Sequence, residues 1–287
     1  MTSDLPEGYG IKSEKQGDAI MCEMHAEQDA KTQGNEISAL TRRNLVRGLA
    51  SGSIVLFAAG CETNAVTGRN QFIVIDDSQL AQLSLSAWEQ TKKETPLTKD
   101  SAAAARVTRV GRRIQQSAGY GGQNWEFATF ESKEANAFVL PGGKVGVYRG
   151  LLDIASTDDQ LAAVLGHETG HVSGRHSAER YSQSVVAETG MQAAGAVVKN
   201  PTTFAALGLG VQYGVLMPFS RSQESEADKI GVDYMHKAGF KVNEAVTLWE
   251  KMAAQGGARQ PSFLSTHPDP AGRAQALRDY IKAKGYA

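Results

Sequence analysis

His167-Glu168-Thr169-Gly170-His171 places two imidazoles and a carboxylate within five residues. On a helix, which advances about 100° per residue, the two histidines lie about 40° apart on one face, one turn from each other. Zinc accepts neutral imidazole nitrogens, and a catalytic zinc site needs three protein ligands and one open position for water. His167 and His171 supply two of the three. Glu168 leaves the same turn, close enough to take a proton from a water that the metal activates. The third ligand must come from elsewhere in the chain.

The run Ser220 to Asp228, SRSQESEAD, offers it. Ser220 and Gln223 make a capping box, which puts Glu224 in the first turn of a helix continuing to about Ala238, with Gly239 as its stop. Glu224 and Asp228 are four apart and share a face. Glu224 can complete a His2Glu zinc site, and Asp228 can accept the spare ring N–H of a ligand histidine and fix its tautomer. Glu226 competes for the ligand role, but it lies about 200° round from Glu224 and has no carboxylate four residues on. His176 invites the three-histidine pattern HExxHxxGxxH, in which Gly174 fits. The final position is Ser177, however, and on a continuing helix His176 points about 140° away from His171. His176 therefore reads as structural, or as a donor to one of the ligands.

The helix that carries the two histidines starts with Thr157 and Gln160 as a capping box, and Asp158 and Asp159 lie where the helix dipole favours anions. Leu161, Val164, Leu165 and Val172 form a stripe for burial. Gly166, Gly170 and Gly174 each cost about 1 kcal/mol relative to alanine, which points to close approach of another backbone, though Gly174 also suits the helix end. Upstream, Gln71 to Ile75 reads as a strand. Asp77 or Ser78 caps a helix with Leu80, Leu83, Ala87 and Trp88 on one face, and Ser101 to Ser117 is a second helix with Val107, Val110 and Ile114 inward. Trp125 to Phe130, Ala135 to Leu140 and Lys144 to Tyr148 are expected as a small meander turning at Pro141-Gly142-Gly143. An exposed edge of such a sheet can accept an extended peptide as an added strand.

Ser184 to Pro218 is apolar but interrupted by Lys199-Asn200-Pro201. Neither half reaches membrane-spanning length, and a helical hairpin over the site is expected. Asn243 to Gln255 is a helix with Leu248, Trp249 and Met252 inward, Phe263 to Pro268 a loop, and Asp269 to Lys284 a helix with Pro270 in its first turn. The fold class is α+β, mainly helical, with a small antiparallel or mixed sheet beside the histidine helix.

The 287 residues are 41% hydrophobic and 21% charged, an ordinary globular composition, and the net charge of -1 gives no electrostatic basis for nucleic-acid binding. Cys22 and Cys61 are too few for a disulfide framework or a thiolate zinc site. Residues 1–40 are polar and acidic without apolar periodicity, and are expected to be a disordered leader. Residues 41–60 combine Arg42, Arg43 and Arg47 with the short apolar run Leu49 to Ala59 and end in Ala58-Ala59-Gly60 before Cys61, which is the form of an export signal. The end resembles a bacterial lipobox, which makes Cys61 a lipidation site, and Thr41 to Val46 resembles a twin-arginine signal. Residues 61–287 are then the enzyme domain. Glu62 is not the aspartate associated with inner-membrane retention, so an outer-membrane lipoprotein facing the periplasm is expected.

Four pieces together resemble the HtpX-like and CAAX-prenyl-protease-like zinc metallopeptidases of the gluzincin group, and within them the small lipoprotein type. They are Asn136-Ala137-Phe138 with Pro141-Gly142-Gly143, His167 to His171, Ser220 to Asp228, and Ser265-Thr266-His267-Pro268 followed by Arg273. The chain departs from the integral-membrane branches in lacking spanning helices and from others in lacking room for a C-terminal TPR array, so prenyl substrates and TPR partners are not carried over. The resemblance implies one Zn2+ per chain and a metalloendopeptidase acting on misfolded or unassembled envelope proteins, with a link to outer-membrane assembly machinery. It implies substrate bound along Asn136, Ala137 and Phe138, and oxyanion stabilisers among Tyr213, His267 and Arg273. His267 is either a turn residue or, as the resemblance implies, reaches the metal's open position or the oxyanion; it is expected to gate the resting site. The rival reading is a metal-containing chaperone or assembly factor that cleaves rarely or never.

Overall fold

The computed structural model describes residues 61–193, 219–255, 261–268 and 270–286. The leader and export signal expected over residues 1–60, the part of the apolar hairpin from 194 to 218, and Tyr213 lie outside the described residues. The chain divides into two compact units, Met1–Val74 and Ile75–Ala287.

In the first unit, β1 (Cys61–Thr63) pairs antiparallel with β2 (Asn70–Phe72), with Cys61 opposite Phe72. The strand expected over Gln71 to Ile75 thus ends at Phe72. Asn64 closes the turn: its Oδ1 accepts from the amides of Val66 and Thr67 at 2.8 and 3.0 Å, and Gly68, at φ +70°, donates to the Asn64 carbonyl.

The second unit opens with α1 (Asp77–Glu94), capped by Asp76, one residue before the expected cap; the Asp76 side chain accepts from the amides of Ser78 and Gln79. Helix α2 (Ser101–Ser117) is capped by Asp100 and buries Val107, Val110 and Ile114 as expected. The three strands β3 (Glu126–Phe130), β4 (Ala137–Leu140) and β5 (Lys144–Tyr148) do not form a meander. Their order is β3-β5-β4, with β5 parallel to β3 and antiparallel to β4, so the sheet is mixed and β4 is an edge. A tight turn joins β4 to β5, with Gly142 and Gly143 at φ +82° and +73°. Period-two burial splits β4: Ala137 and Val139 face the main core, while Phe138 and Leu140 join Trp88 and Phe130 in a second cluster. A one-turn helix, α3 (Arg149–Ile154), follows β5; its shortness left no periodic signal.

Helix α4 (Asp158–Ser173) is the centre of this unit. It packs against α2, β4, α6 (Arg221–Lys237) and α7 (Asn243–Ala254), and so is buried almost all round rather than along one stripe. Thr157 caps it through the Gln160 amide, whereas the Gln160 side chain turns to Ser156, leaving the expected capping box half made. Gly166 and Gly170 let α6 approach. A Cβ on Gly170 would stand 2.6 Å from the Ala227 carbonyl oxygen, and one on Gly231 would stand 2.7 Å from the His167 amide nitrogen. At Gly174 the helix ends; Arg175 takes φ +52°, and α5 (His176–Ala193) starts in a new direction. Ser220 and Gln223 form the reciprocal capping box of α6. The segment expected as a loop contains one helical turn, α8 (Phe263–Thr266), before α9 (Pro270–Lys284). Among the described residues no helix is long and apolar enough to cross a membrane.

Candidate metal centre

Helix α4 delivers His167, Glu168 and His171; the first turn of α6 delivers Glu224, with Asp228 one turn on. The residue after α8 is His267, and α9 contributes Arg273. All seven side chains are buried. His167 Nε2 and His171 Nε2 stand 3.0 Å apart, and His171 Nε2 is 3.3 Å from Glu224 Oε1. His267 Nδ1 lies 2.9 Å from Glu224 Oε1 and 3.2 Å from His167 Nε2. One ligand atom from each of His167, His171, Glu224 and His267 falls within 4.8 Å of the others.

This donor set fits a zinc ion on its own chemistry. His167 Nδ1 is 2.9 Å from Asp228 Oδ1, which as a carboxylate can only accept; Arg273 Nη2, 3.0 Å from the same Nδ1, is itself taken by Asp228 Oδ1 at 2.6 Å, so a hydrogen on Nδ1 meets the carboxylate and leaves Nε2 as a bare lone pair. If His171 Nε2 is bare as well, the two ring nitrogens facing each other at 3.0 Å beside a carboxylate repel unless a cation lies between them. Nitrogen and oxygen donors of this kind suit Zn2+. Glu168 adds a further sign: its Oε1 is buried without a hydrogen bond among the described residues, 3.3 Å from His267 Nε2.

Burial sets the charges. It pushes His167 down to about 4, with the Arg273 guanidinium acting in the same direction, and holds His171 well below its ordinary value, so both rings are neutral at pH 7. Burial raises Glu168 to about 7 against the pull of His267. For Glu224 burial acts upward, but Arg273, His167 and His267 outweigh it and hold the carboxyl far below the usual range. Asp228 is likewise kept low by Arg273. That guanidinium donates through Nε and Nη2 to both Asp228 oxygens, at 2.7 and 2.6 Å, and its Nη1 pairs with Glu224 Oε2. Its other face lies 3.6 Å from the Trp249 ring centroid.

At the sheet edge, Tyr148 donates its amide to the Asn136 carbonyl, so by alternation Ala137 and Val139 turn their backbone groups away from β5. The Val139 amide hydrogen-bonds the Glu168 carboxylate, and the Ala137 amide is taken by Asn136 Oδ1 at 2.9 Å. Phe138 does not present its side chain to this edge; the ring packs against Trp88, Phe130 and Tyr148.

His176 does not point away from His171. The break at Gly174 and Arg175 turns it back, and His171 Nδ1 and His176 Nδ1 are 2.8 Å apart. Two residues near the site carried no legible signal in the sequence. Phe219 stacks on His171, ring centroids 3.7 Å apart, and on His267 at 5.2 Å. The Arg180 guanidinium lies over the far face of that contact, 3.9 Å from the Phe219 ring centroid, and its Nη1 and Nη2 have no hydrogen-bond partner among the described residues. Neither belongs to a spacing pattern; tertiary packing alone brings them in.

A helix bearing HExxH, a glutamate from a second helix and a small mixed sheet define a zincin-type metallopeptidase domain. Residues 101–281 match the model of peptidase family M48, and the chain belongs to that family. It is similar to the mitochondrial metalloendopeptidase OMA1 of Schizosaccharomyces pombe, 39% identical over 179 residues that cover 61% of this chain and 52% of that one. It is also similar to the metalloprotease LoiP of Escherichia coli, 29% identical over 83% of this chain and 97% of LoiP. The beta-barrel assembly-enhancing protease of Escherichia coli is 26% identical over 83% of this chain and 52% of its own length. The chain thus spans about half of the first and third of these relatives and nearly all of the second.

Proposed function

We propose that the protein is a zinc-dependent endopeptidase of the bacterial cell envelope that hydrolyses misfolded or unassembled envelope proteins. The observation that carries this reading is the convergence of His167, His171, Glu224 and His267 with Glu168 at one buried point. His167, His171 and Glu224 would hold one Zn2+, which when bound polarises a carbonyl and makes a water more acidic. Glu168 takes the proton from the attacking water and passes it to the leaving amine; a carboxyl raised to about 7 is matched to both transfers near neutral pH. Asp228 holds the His167 tautomer, and Arg273 clamps Glu224 and Asp228 in place. With its donors committed to those two carboxylates, Arg273 is better suited to positioning than to the oxyanion. Extended substrate is read along β4 through the outward carbonyls of Ala137 and Val139, with Asn136 ordering the turn into the strand and Phe138 contributing backbone only.

His267 supports a gated resting state, because its ring faces Glu224, His167 and Glu168 at once, among the residues that would hold the metal and its water. The same contact favours, as a second reading, a client-binding assembly factor whose proteolysis is normally off. Lipidation at Cys61 would anchor the chain to the outer membrane facing the periplasm, after export by a twin-arginine or general route. The relative named as a beta-barrel assembly-enhancing protease supports a link to outer-membrane assembly, whereas the relatives named OMA1 are mitochondrial. Incubating the purified protein with an unfolded outer-membrane protein should give fragments that vanish with a zinc chelator and return on adding zinc. Intact substrate under all conditions, with stable binding, would favour the assembly-factor reading.

A further inference from the structure

We propose that His176 and Glu226 are positioning residues for His171, forming a relay that holds its ring with Nε2 bare toward the metal. The inference rests on the reading of His171 as a zinc ligand. His167 has its own acceptor in Asp228, one contact away. Among the described residues no carboxylate hydrogen-bonds His171 Nδ1 in that way; it meets His176 Nδ1 at 2.8 Å, and His176 Nε2 meets Glu226 Oε2 at 2.8 Å. His171 and His176 are fully buried, and the Glu226 side chain is 15% exposed.

Proton counting leaves one direction for this chain. An ionised Glu226 carboxylate can only accept, so His176 must carry its hydrogen on Nε2. Its Nδ1 is then an acceptor, and the 2.8 Å contact requires His171 to carry hydrogen on Nδ1. His171 Nε2 is left as a lone pair, directed at the point shared with His167 and Glu224. The reverse arrangement sets two lone-pair atoms 2.8 Å apart at Glu226 and protonates the nitrogen that should bind metal. The two ligand histidines are thus fixed by different devices: a carboxylate for His167, and an imidazole backed by a carboxylate for His171.

The backbone is built for the second device. Arg175 sits at φ +52°, a left-handed conformation that a non-glycine residue rarely adopts, and the first residue of α5 comes back to the last turn of α4. A Cβ on Gly174 would lie 2.5 Å from His176 Nε2, so only glycine leaves room for the ring. Glu226 lies between Glu224 and Asp228 in sequence but on the opposite side of α6, and all three carboxylates come from one helix. This gives a role to the acid that its angle on the helix excludes from the ligand set.

The test is zinc affinity measured by chelator competition on the full chain, with the fold checked by circular dichroism. Glu226→Leu and His176→Phe should each weaken zinc binding about 10- to 100-fold, and Glu226→Gln, which keeps an acceptor oxygen without the charge, should fall between. Long-range 15N–1H correlation spectra of the zinc-loaded protein should show His176 protonated at Nε2 and not at Nδ1. His171→Ala separates the two levels. If it retains zinc at wild-type affinity, the ligand reading fails. If it loses zinc while Glu226→Leu binds within twofold of wild type, or if His176 carries its hydrogen on Nδ1, the relay is wrong.

Discussion

Gly231 on α6 lies against the backbone of His167 on α4, so close that a Cβ on Gly231 would stand 2.7 Å from the His167 amide nitrogen and 2.8 Å from the Gly166 carbonyl carbon. Backbone cannot move aside as a flexible side chain can. Gly231→Ala should therefore force α4 and α6 apart, lowering unfolding stability in urea by about 1–3 kcal/mol and weakening zinc binding, because the two helices bear the three proposed ligands between them. An alanine variant with wild-type urea midpoint and metal affinity would mean that this contact is looser than the geometry states.

Arg273 neutralises two buried carboxylates at once. Arg273→Met should leave Glu224 and Asp228 uncompensated and cost about 3–5 kcal/mol in metal-free unfolding. Arg273→Lys should recover only part of this, since one ammonium cannot span both acids as the guanidinium fork does.

His267 separates gating from catalysis. If its ring keeps the resting site closed, His267→Ala raises kcat/KM on a short, freely diffusing peptide several-fold while zinc stays bound. A drop of about 100-fold in kcat would instead assign the ring to the oxyanion, in the range seen when one such donor is removed.

Burial raises Glu168 to about 7, against 4.5 for an exposed glutamate, so the folded metal-free protein binds this proton more tightly than the unfolded chain. A raised carboxyl stabilises the fold relative to its charged form below the unfolded value, and that contribution is lost as pH rises from about 4.5 through about 7. Glu168→Gln carries no charge at any pH. Its stability advantage over wild type in urea should therefore grow between pH 4.5 and pH 8, by an amount on the order of 3 kcal/mol. An advantage independent of pH would show that Glu168 is not buried as a charge.

The chemistry of the site was more legible than its frame. The HExxH spacing and the capping box before Glu224 are local patterns, and both helices appear where those patterns require. The mixed order of the sheet could not be read, because strand polarity depends on which partner β5 finds across the fold, and the alternation of residues is the same either way. The 140° between His176 and His171 holds only on a helix running through Gly174, whereas α4 ends there and Arg175 takes φ +52°. Phe219 stacks on His171 from a segment distant in sequence, and Arg180 enters only through its contact with Phe219; no periodicity marks such contacts.

Glu168→Gln tests the central claim most directly. The variant keeps the shape of the side chain and every proposed zinc ligand, and removes only the group that accepts the proton. Metal analysis and cleavage of an unfolded protein, measured side by side on wild type and variant, should give one zinc per chain in both and at least a 100-fold loss of turnover in the variant. Cleavage by the variant at the wild-type rate, with zinc still bound, would contradict the mechanism.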